Sequence, residues 1–152
     1  MKENWIIRVG NGNHFKNSSK LKIWGLNSKD KTNTNKFIKE AKYGDILWFI
    51  TSNSKGQAIA ISTFIEIKKR CVGPLINLSK TNKELGWDES NGDWDMEIHY
   101  KDLINISNLN ILTRIRSPRT YRRYSDNINK IPIDLNQEYQ NIIKYSKITF
   151  KM

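Results

Sequence analysis

Apolar residues in this chain come in short β-rich bursts separated by long polar stretches. Asn4-Trp5-Ile6-Ile7-Arg8-Val9 is a β-branched run closed by the turn material Gly10-Asn11-Gly12-Asn13, which predicts a first strand. From Lys16 to Lys36 the chain is rich in Asn, Ser and Lys and reads as loop, with Leu21 to Leu26 as a short apolar insertion that carries Trp24. Asn33 or Thr34 can cap a short helix through Lys42, in which Phe37, Ile38 and Ala41 fall at helical spacing and Tyr43-Gly44 ends the run.

Asp45 to Thr51 and Gln57 to Lys68 form the clearest pair, two strands joined by a loop of hairpin length. In the second of them Ala58, Ala60 and Ser62 alternate with Ile59, Ile61 and Thr63, so one side is small, which leaves room for close backbone packing or for a ligand. Asp93 to Tyr100 and Leu109 to Ile115 read as further strands. Asp134 caps a terminal helix with Leu135, Tyr139, Ile142 and Ile143 along one face. Strands, a short helix, a hairpin, more strands and a last helix predict an α+β domain with a curved or barrel-like mixed β-sheet and flanking helices.

The 152 residues suit one domain, residues 1–152, and contain no repeats or linker. The longest apolar run, Ile46 to Ile50, is far short of the about 18 residues a membrane-spanning helix needs. The N-terminus carries Trp5 and Arg8 rather than a signal-peptide pattern. Together these predict a soluble intracellular protein, cytoplasmic or nuclear, with no membrane partner. Cys71 is the single cysteine, which forbids an internal disulfide and a thiolate metal site and agrees with a reducing compartment.

Charge sharpens the picture. The net charge is +11, and five of the seven arginines (Arg114, Arg116, Arg119, Arg122 and Arg123) lie in the acid-free stretch from Thr113 to Tyr124, interleaved with Tyr121 and Tyr124. A guanidinium pairs with phosphate and stacks on bases, and tyrosine offers a flat face and a hydroxyl, so this segment is expected to follow a nucleic-acid backbone. A solvated basic loop is the plain alternative. An AT-rich coding genome, such as a viral one, accounts for many lysines but not for clustered arginine. Seven of the fifteen acids, among them Asp88, Glu89, Asp93, Asp95 and Glu97, crowd into residues 84–102, so one face is basic and another is not.

Catalytic signals are poor. His14 and His99 are the only histidines and stand far apart, and no Ser-His-Asp or Cys-His order appears. Residues 88–93 lack the spacing of a calcium-binding loop, and Gly10-Asn11-Gly12 lacks the rest of a phosphate-binding motif. No catalytic residue, metal site or cofactor is expected.

Several segments, in order, resemble the YTH domains and more distantly the EVE domains of the same PUA-like superfamily. Asn4 to Arg8 is similar to the first strand of either family, and Lys22-Ile23-Trp24 to the YTH segment that ends in a cage tryptophan. Tyr43 to Ser52 resembles the EVE-type "GD" strand, and Gly56 to Ser62 the return strand. Trp94 to Leu103 is similar to the YTH pattern that closes on Lys-Asp, and Ser125-Asp126 with Ile131 to Leu135 resembles the C-terminal ending. The resemblance implies a reader of a modified base, most simply N6-methyladenine, in single-stranded RNA or as a base flipped out of DNA. It places Trp24 and Trp87 as cage walls, with Leu85 as a candidate third wall. Tryptophan faces stack on the purine and hold the methyl group by dispersion.

The chain departs from the family at Val9-Gly10, where YTH readers carry Lys-Ser, and at Gly25, where they carry Ser or Cys. Backbone groups around Gly10 to Asn13 and the side chain of Asn11 or Asn13, together with Gly25, are the candidates for the base edge, since an amide both donates and accepts. Trp5, Trp48 and Trp94 lie in or at strands and are expected in the core. Loop anchoring is the alternative for Trp24 and Trp87. Three further functions stay open: an EVE-like sensor of modified DNA, a restriction- or glycosylase-type enzyme with its chemistry near residues 88–97, and a host-interaction module without a pocket.

Overall fold

The computed structural model describes residues 2–52, 55–70, 94–115 and 121–151. Six strands form one mixed sheet in the order β2-β5-β4-β3-β1-β6: β1 Asn4–Arg8, β2 Ile23–Leu26, β3 Ile46–Ile50, β4 Ala58–Lys69, β5 Met96–Asn105 and β6 Tyr121–Arg123. Three helices flank the curled half-barrel, α1 Asn13–Ser19, α2 Lys31–Glu40 and α3 Leu135–Lys151. The predicted α+β class and curved sheet are the observed ones. No helix of the described residues is long and apolar enough to cross a membrane.

The period-2 alternation of β1 and β3 feeds two cores, one on each face of the sheet. Trp5, Ile7, Leu47 and Phe49 point to the face covered by α1 and α2, where they meet Phe15, Phe37, Tyr100 and Tyr121. Ile6, Trp48 and Ile50 point to the other face with Ile111, Tyr124, Leu135 and Ile142, under α3. Trp5 and Trp48 are thus core residues, and each indole N–H is satisfied: Trp5 donates to Asp45 at 3.0 Å and Trp48 to Asn4 at 2.9 Å. Strands β1 and β3 run parallel, and residues 9–45, with α1, β2 and α2, make the crossover between them.

The polar stretch Lys16 to Lys36 is not a loop. It contains most of α1, all of β2 and the start of α2, because single apolar residues carry each element into the core. Phe15 is 4 % exposed and packs on Phe49 with ring centroids 4.3 Å apart. Phe37 is fully buried against Trp5 and Tyr121. Burying one such side chain contributes about 1.5–3 kcal/mol, which outweighs the few tenths per residue by which Asn and Ser disfavour helix. The α2 helix begins after Asp30 rather than at Asn33 or Thr34, and its last residue is Glu40.

Leu109 to Ile115, expected as a strand, makes only the isolated bridge Gln57↔Leu112 after a 3-10 turn at Ser107–Leu109. Asn110 (φ 56°) and Arg114 (φ 63°) sit in the left-handed region, which breaks an extended run at both ends, yet Ile111, Thr113 and Ile115 are still buried. The strand expected at Asp93 to Tyr100 runs from Met96 to Asn105 instead. The small-residue side of β4 does not persist, since a register shift pairs Phe49 with Ala60 but Ile50 with Ala58. Ala58 therefore joins the core beneath α3 and Ala60 the opposite one. Asp134 caps α3, its carboxylate accepting from the Gln137 N–H at 3.2 Å.

Candidate nucleic-acid interface

The C-terminal ends of the parallel strands β1 and β3 open onto a cavity of about 640 Å³, within the range of small-ligand sites. Its floor and walls come from four places: the turn after β1 (Arg8 to Asn13), the middle of β2 (Trp24 and Gly25), the start of α2 (Asp30 and Thr34), and Tyr121 at the head of β6. Ser52 and Trp94 complete the rim.

The turn is fixed to its neighbours. Val9 N–H donates to Ile50 at 2.9 Å and Ser52 N–H to Gly10 at 2.9 Å, so the chain after β1 is tied to the chain after β3. Gly12 has φ 91°, in the left-handed region that side chains rarely adopt, which explains a glycine where the chain turns into α1. The Asn11 carboxamide oxygen accepts from Asn13 N–H at 2.9 Å, a local cap that orders the turn. Asn11 and Asn13, the two candidates for the base edge, therefore both face the cavity, with one oxygen of Asn11 already engaged.

Strand β2 pairs with β5, Trp24 opposite Ile98 and Gly25 opposite Glu97. Trp24 is half-buried, with Phe15 against it edge-on at 5.9 Å, and Gly25 lies beside it on the cavity wall. Trp94, expected in the core, is half-buried and forms a side recess of the cavity with Trp24, Gly25 and His14. Two anchors hold it there. Arg70 Nη1 donates to the Trp94 carbonyl at 3.3 Å, and the neighbouring Asp95 carboxylate accepts from both Ser28 N–H (2.8 Å) and the Ser28 hydroxyl. Burial alone would raise the Asp95 carboxyl, but the Ser28 bonds and Lys29 outweigh it and hold the group below its usual range. Arg70 is itself paired with the buried Glu97 at 3.4 Å, which also bonds His99 at 2.8 Å.

The arginine–tyrosine segment is divided. Arg116 and Arg119 lie outside the described residues. Arg114 is exposed. The rings of Tyr121 and Tyr124 are not open faces for bases, because each is packed into one of the two cores, at 8 % and 6 % exposure. Arg123 binds Asp126 through Nε at 3.0 Å and Glu40 through Nη1 at 3.0 Å, and Arg122 donates to Asn127 at 2.8 Å. Hydrogen bonding to Asp126, helped by Glu40, raises the Arg123 guanidinium further. These four side chains hold β6 and the turn after it in place.

Trp87 and Leu85, the other two cage candidates, lie outside the described residues, as do Cys71 and the acids at 84–93. Among the described residues no three of His, Cys, Asp and Glu gather as metal ligands would. Arg8, Asn27, Asp30, Thr34 and Ser52 were silent in the sequence because polar residues in polar stretches carry no periodic signal. Trp94 was legible only as a core residue, because a tryptophan at a strand entry gives no sign of a cavity wall.

No known family model matches the sequence, and no curated protein matches it. In three dimensions the chain is similar to the Pho92 YTH domain, solved in complex with m6A, at 14 % identity and TM-score 0.51 over 84 % of this chain and 82 % of that one. It is similar to the MmI1 YTH domain at 12 % identity and TM-score 0.50, over 97 % and 99 %. It is also similar to the YTH domain of Zygosaccharomyces rouxii MRB1, solved with N6-methyladenosine RNA, at 11 % identity and TM-score 0.54, over 95 % and 88 %. At such identities the likeness concerns architecture, and on that ground this chain has the fold of a YTH domain.

Proposed function

We propose that this protein binds nucleic acid, RNA in the first place, by holding one modified base, N6-methyladenine, in the cavity at the ends of β1 and β3. The carrying observation is the meeting of Trp24, Gly25, Asn11 and Asn13 around one cavity in a YTH-like fold, two of whose structural relatives are solved with m6A or m6A RNA. The indole face of Trp24 stacks on the purine, and Trp94 stands across the side recess as a second aromatic surface near the methyl group. The Asn13 carboxamide and backbone groups at Gly10 and Gly25 are suited to the base edge, because amides supply both a donor and an acceptor. Trp87 and Leu85 keep the wall positions that the family resemblance gives them.

The phosphate path fits Arg114, Arg116 and Arg119 rather than Arg122 and Arg123, whose guanidinium groups are engaged within the protein. The reading is of a binder and not an enzyme: Asp95 and Glu97, the two described acids of the 88–97 region, are committed to Ser28 and Arg70. Titration of paired RNA oligonucleotides, with adenine or N6-methyladenine at one position, tests the proposal. Tighter binding of the methylated strand, abolished in Trp24→Ala, is expected. Equal affinity for the two strands refutes it, and a parallel arm with single-stranded DNA assigns the polymer.

A further inference from the structure

We propose that His14 is a specificity-determining residue, one wall of a recess that takes a single methyl group on the base nitrogen and excludes longer alkyl groups. The proposal rests on the base-reading role of the cavity and deepens it by naming the class of modification that fits.

The recess opens from the side of the cavity and is lined by His14, Trp24, Gly25 and Trp94, each of which also lines the cavity itself. It measures about 10 Å³, the space of a single water-sized group. A purine stacked on Trp24 stands at its mouth, so a substituent of one heavy atom on the exocyclic nitrogen enters without displacing a wall. Three of the four walls are aromatic rings, carried by α1, β2 and the chain that enters β5, and Gly25 adds no side chain. Ring faces hold a methyl group by dispersion.

Size decides only where the walls do not give way. His14 precedes Phe15, which is 4 % exposed, packs on Phe49 at 4.3 Å and meets Trp24 edge-on at 5.9 Å, so α1 and the Trp24 wall lean on one buried ring. Trp24 is set in register opposite Ile98 of β5. The chain beside Trp94 is held from two sides, since Arg70 N–H donates to the Asp95 carbonyl at 2.9 Å and Ser28 N–H to the Asp95 carboxylate at 2.8 Å. Packed surroundings of this kind resist one extra carbon. A surplus methylene in a shaped apolar pocket changes discrimination by about 10- to 200-fold. A lone histidine in a polar run has no such role by composition; α1 alone brings it beside two tryptophans from other elements.

RNA oligonucleotides of one sequence, with adenine, N6-methyladenine or N6-ethyladenine at one position, test the size limit by titration of the whole chain. The ethyl group keeps the N–H and adds one carbon, so a difference between the two alkylated strands reports room and not hydrogen bonding. The N6-ethyl strand is expected to bind at least about tenfold more weakly than the N6-methyl strand. Equal binding of the two overturns the proposal. In His14→Ala the ethyl strand should recover most of that loss, whereas His14→Phe, which keeps a ring in the wall, should retain it. Discrimination undiminished in His14→Ala overturns the role of His14. The unsubstituted protein gives a reading that needs no variant: with an isotope-labelled methyl group on the bound RNA, magnetisation transfer from the methyl protons to the His14 ring protons is expected, and its absence also overturns that role. A protein that binds methylated and unmethylated strands equally refutes the base reading itself, while one that prefers N6-methyladenine to adenine yet takes N6-ethyladenine as readily loses only the size limit.

Discussion

The rim of the cavity and strand β6 are both polar, basic and adjacent in the fold, yet their charged groups meet different partners. Around the rim Lys16, Lys20, Lys29 and Lys31 are exposed on the elements that build the cavity, and Asp30 is the one acid from Asn13 to Lys36. On β6 Arg123 is held by Asp126 and Glu40, Asp126 is further bound by Lys36, and Tyr121 and Tyr124 are core residues. The more conspicuous composition of β6 thus goes with structural pairing and the duller one with the cavity rim. An arginine within reach of two carboxylates is satisfied before a phosphate arrives, whereas among the described residues no ion pair engages Lys16, Lys20 or Lys31.

The largest effect that separates the regions should come from Tyr121→Ala. Truncating a buried aromatic ring costs about 3–5 kcal/mol, so urea unfolding should show a far lower midpoint, and a midpoint within error of the parent would place Tyr121 outside the core. Trp24→Ala comes next. It should weaken binding of N6-methyladenine RNA by about 1–3 kcal/mol, the range for removing base stacking, with a modest change in thermal stability because Trp24 is only half-buried.

Acid titration sharpens the contrast further. Asp95 and Asp126 are both held below their ordinary carboxyl range in the folded protein. At Asp95 the Ser28 bonds and Lys29 prevail over the opposing effect of burial, and at Asp126 hydrogen bonds from Arg123 and Lys36 lead. A depressed folded pKa contributes stability that is complete above the unfolded value of about 3.9 and is lost as pH falls through the folded one. Asp95→Asn and Asp126→Asn should each flatten the acid limb of a melting-temperature curve below about pH 4. Only Asp95→Asn should also reduce the preference for methylated RNA, because Asp95 sits beside Trp94 on the rim. If Asp126→Asn reduces it equally, β6 belongs to the recognition surface after all.

The smallest effect concerns the phosphate backbone. The Arg122→Ala, Arg123→Ala pair should cost about 1 kcal/mol of stability for its partly exposed bonds and leave the slope of log K against log salt unchanged. Substituting Arg114, Arg116 and Arg119 should lower that slope by about 0.7 for each phosphate of a single strand that is no longer neutralised. Should neither set change it, Lys16, Lys20, Lys29 and Lys31 become the remaining path.

Much of the sheet was legible because its strands obey period 2. The β3/β4 hairpin and β1 declare themselves by β-branched runs, and α3 by the Asp134 cap and the apolar face from Leu135 to Ile142. Residues 13–31 were not legible, since α1 and β2 are only seven and four residues long and rest on a few apolar side chains each, such as Phe15 and Leu26. A single aromatic has no periodicity to read. Trp24 stood out in the sequence by its family context and its polar surroundings; Trp94 did not, because a tryptophan at a strand entry reads as core.

The sequence by itself determined the α+β class with its curved sheet, the core placement of Trp5 and Trp48, and the single cysteine that cannot form an internal disulfide. These follow from local alternation and from residue type. Only the tertiary structure decided which residues line the cavity and which are packed or paired within the protein. Burial and pairing depend on partners far away in the chain: Glu40 lies 83 residues from Arg123, and Gly25 lies 96 residues from Tyr121. Pairings of that span leave no trace in local composition, so the arginines of β6 could become a brace and a run of Asn, Ser and Lys a wall of the cavity.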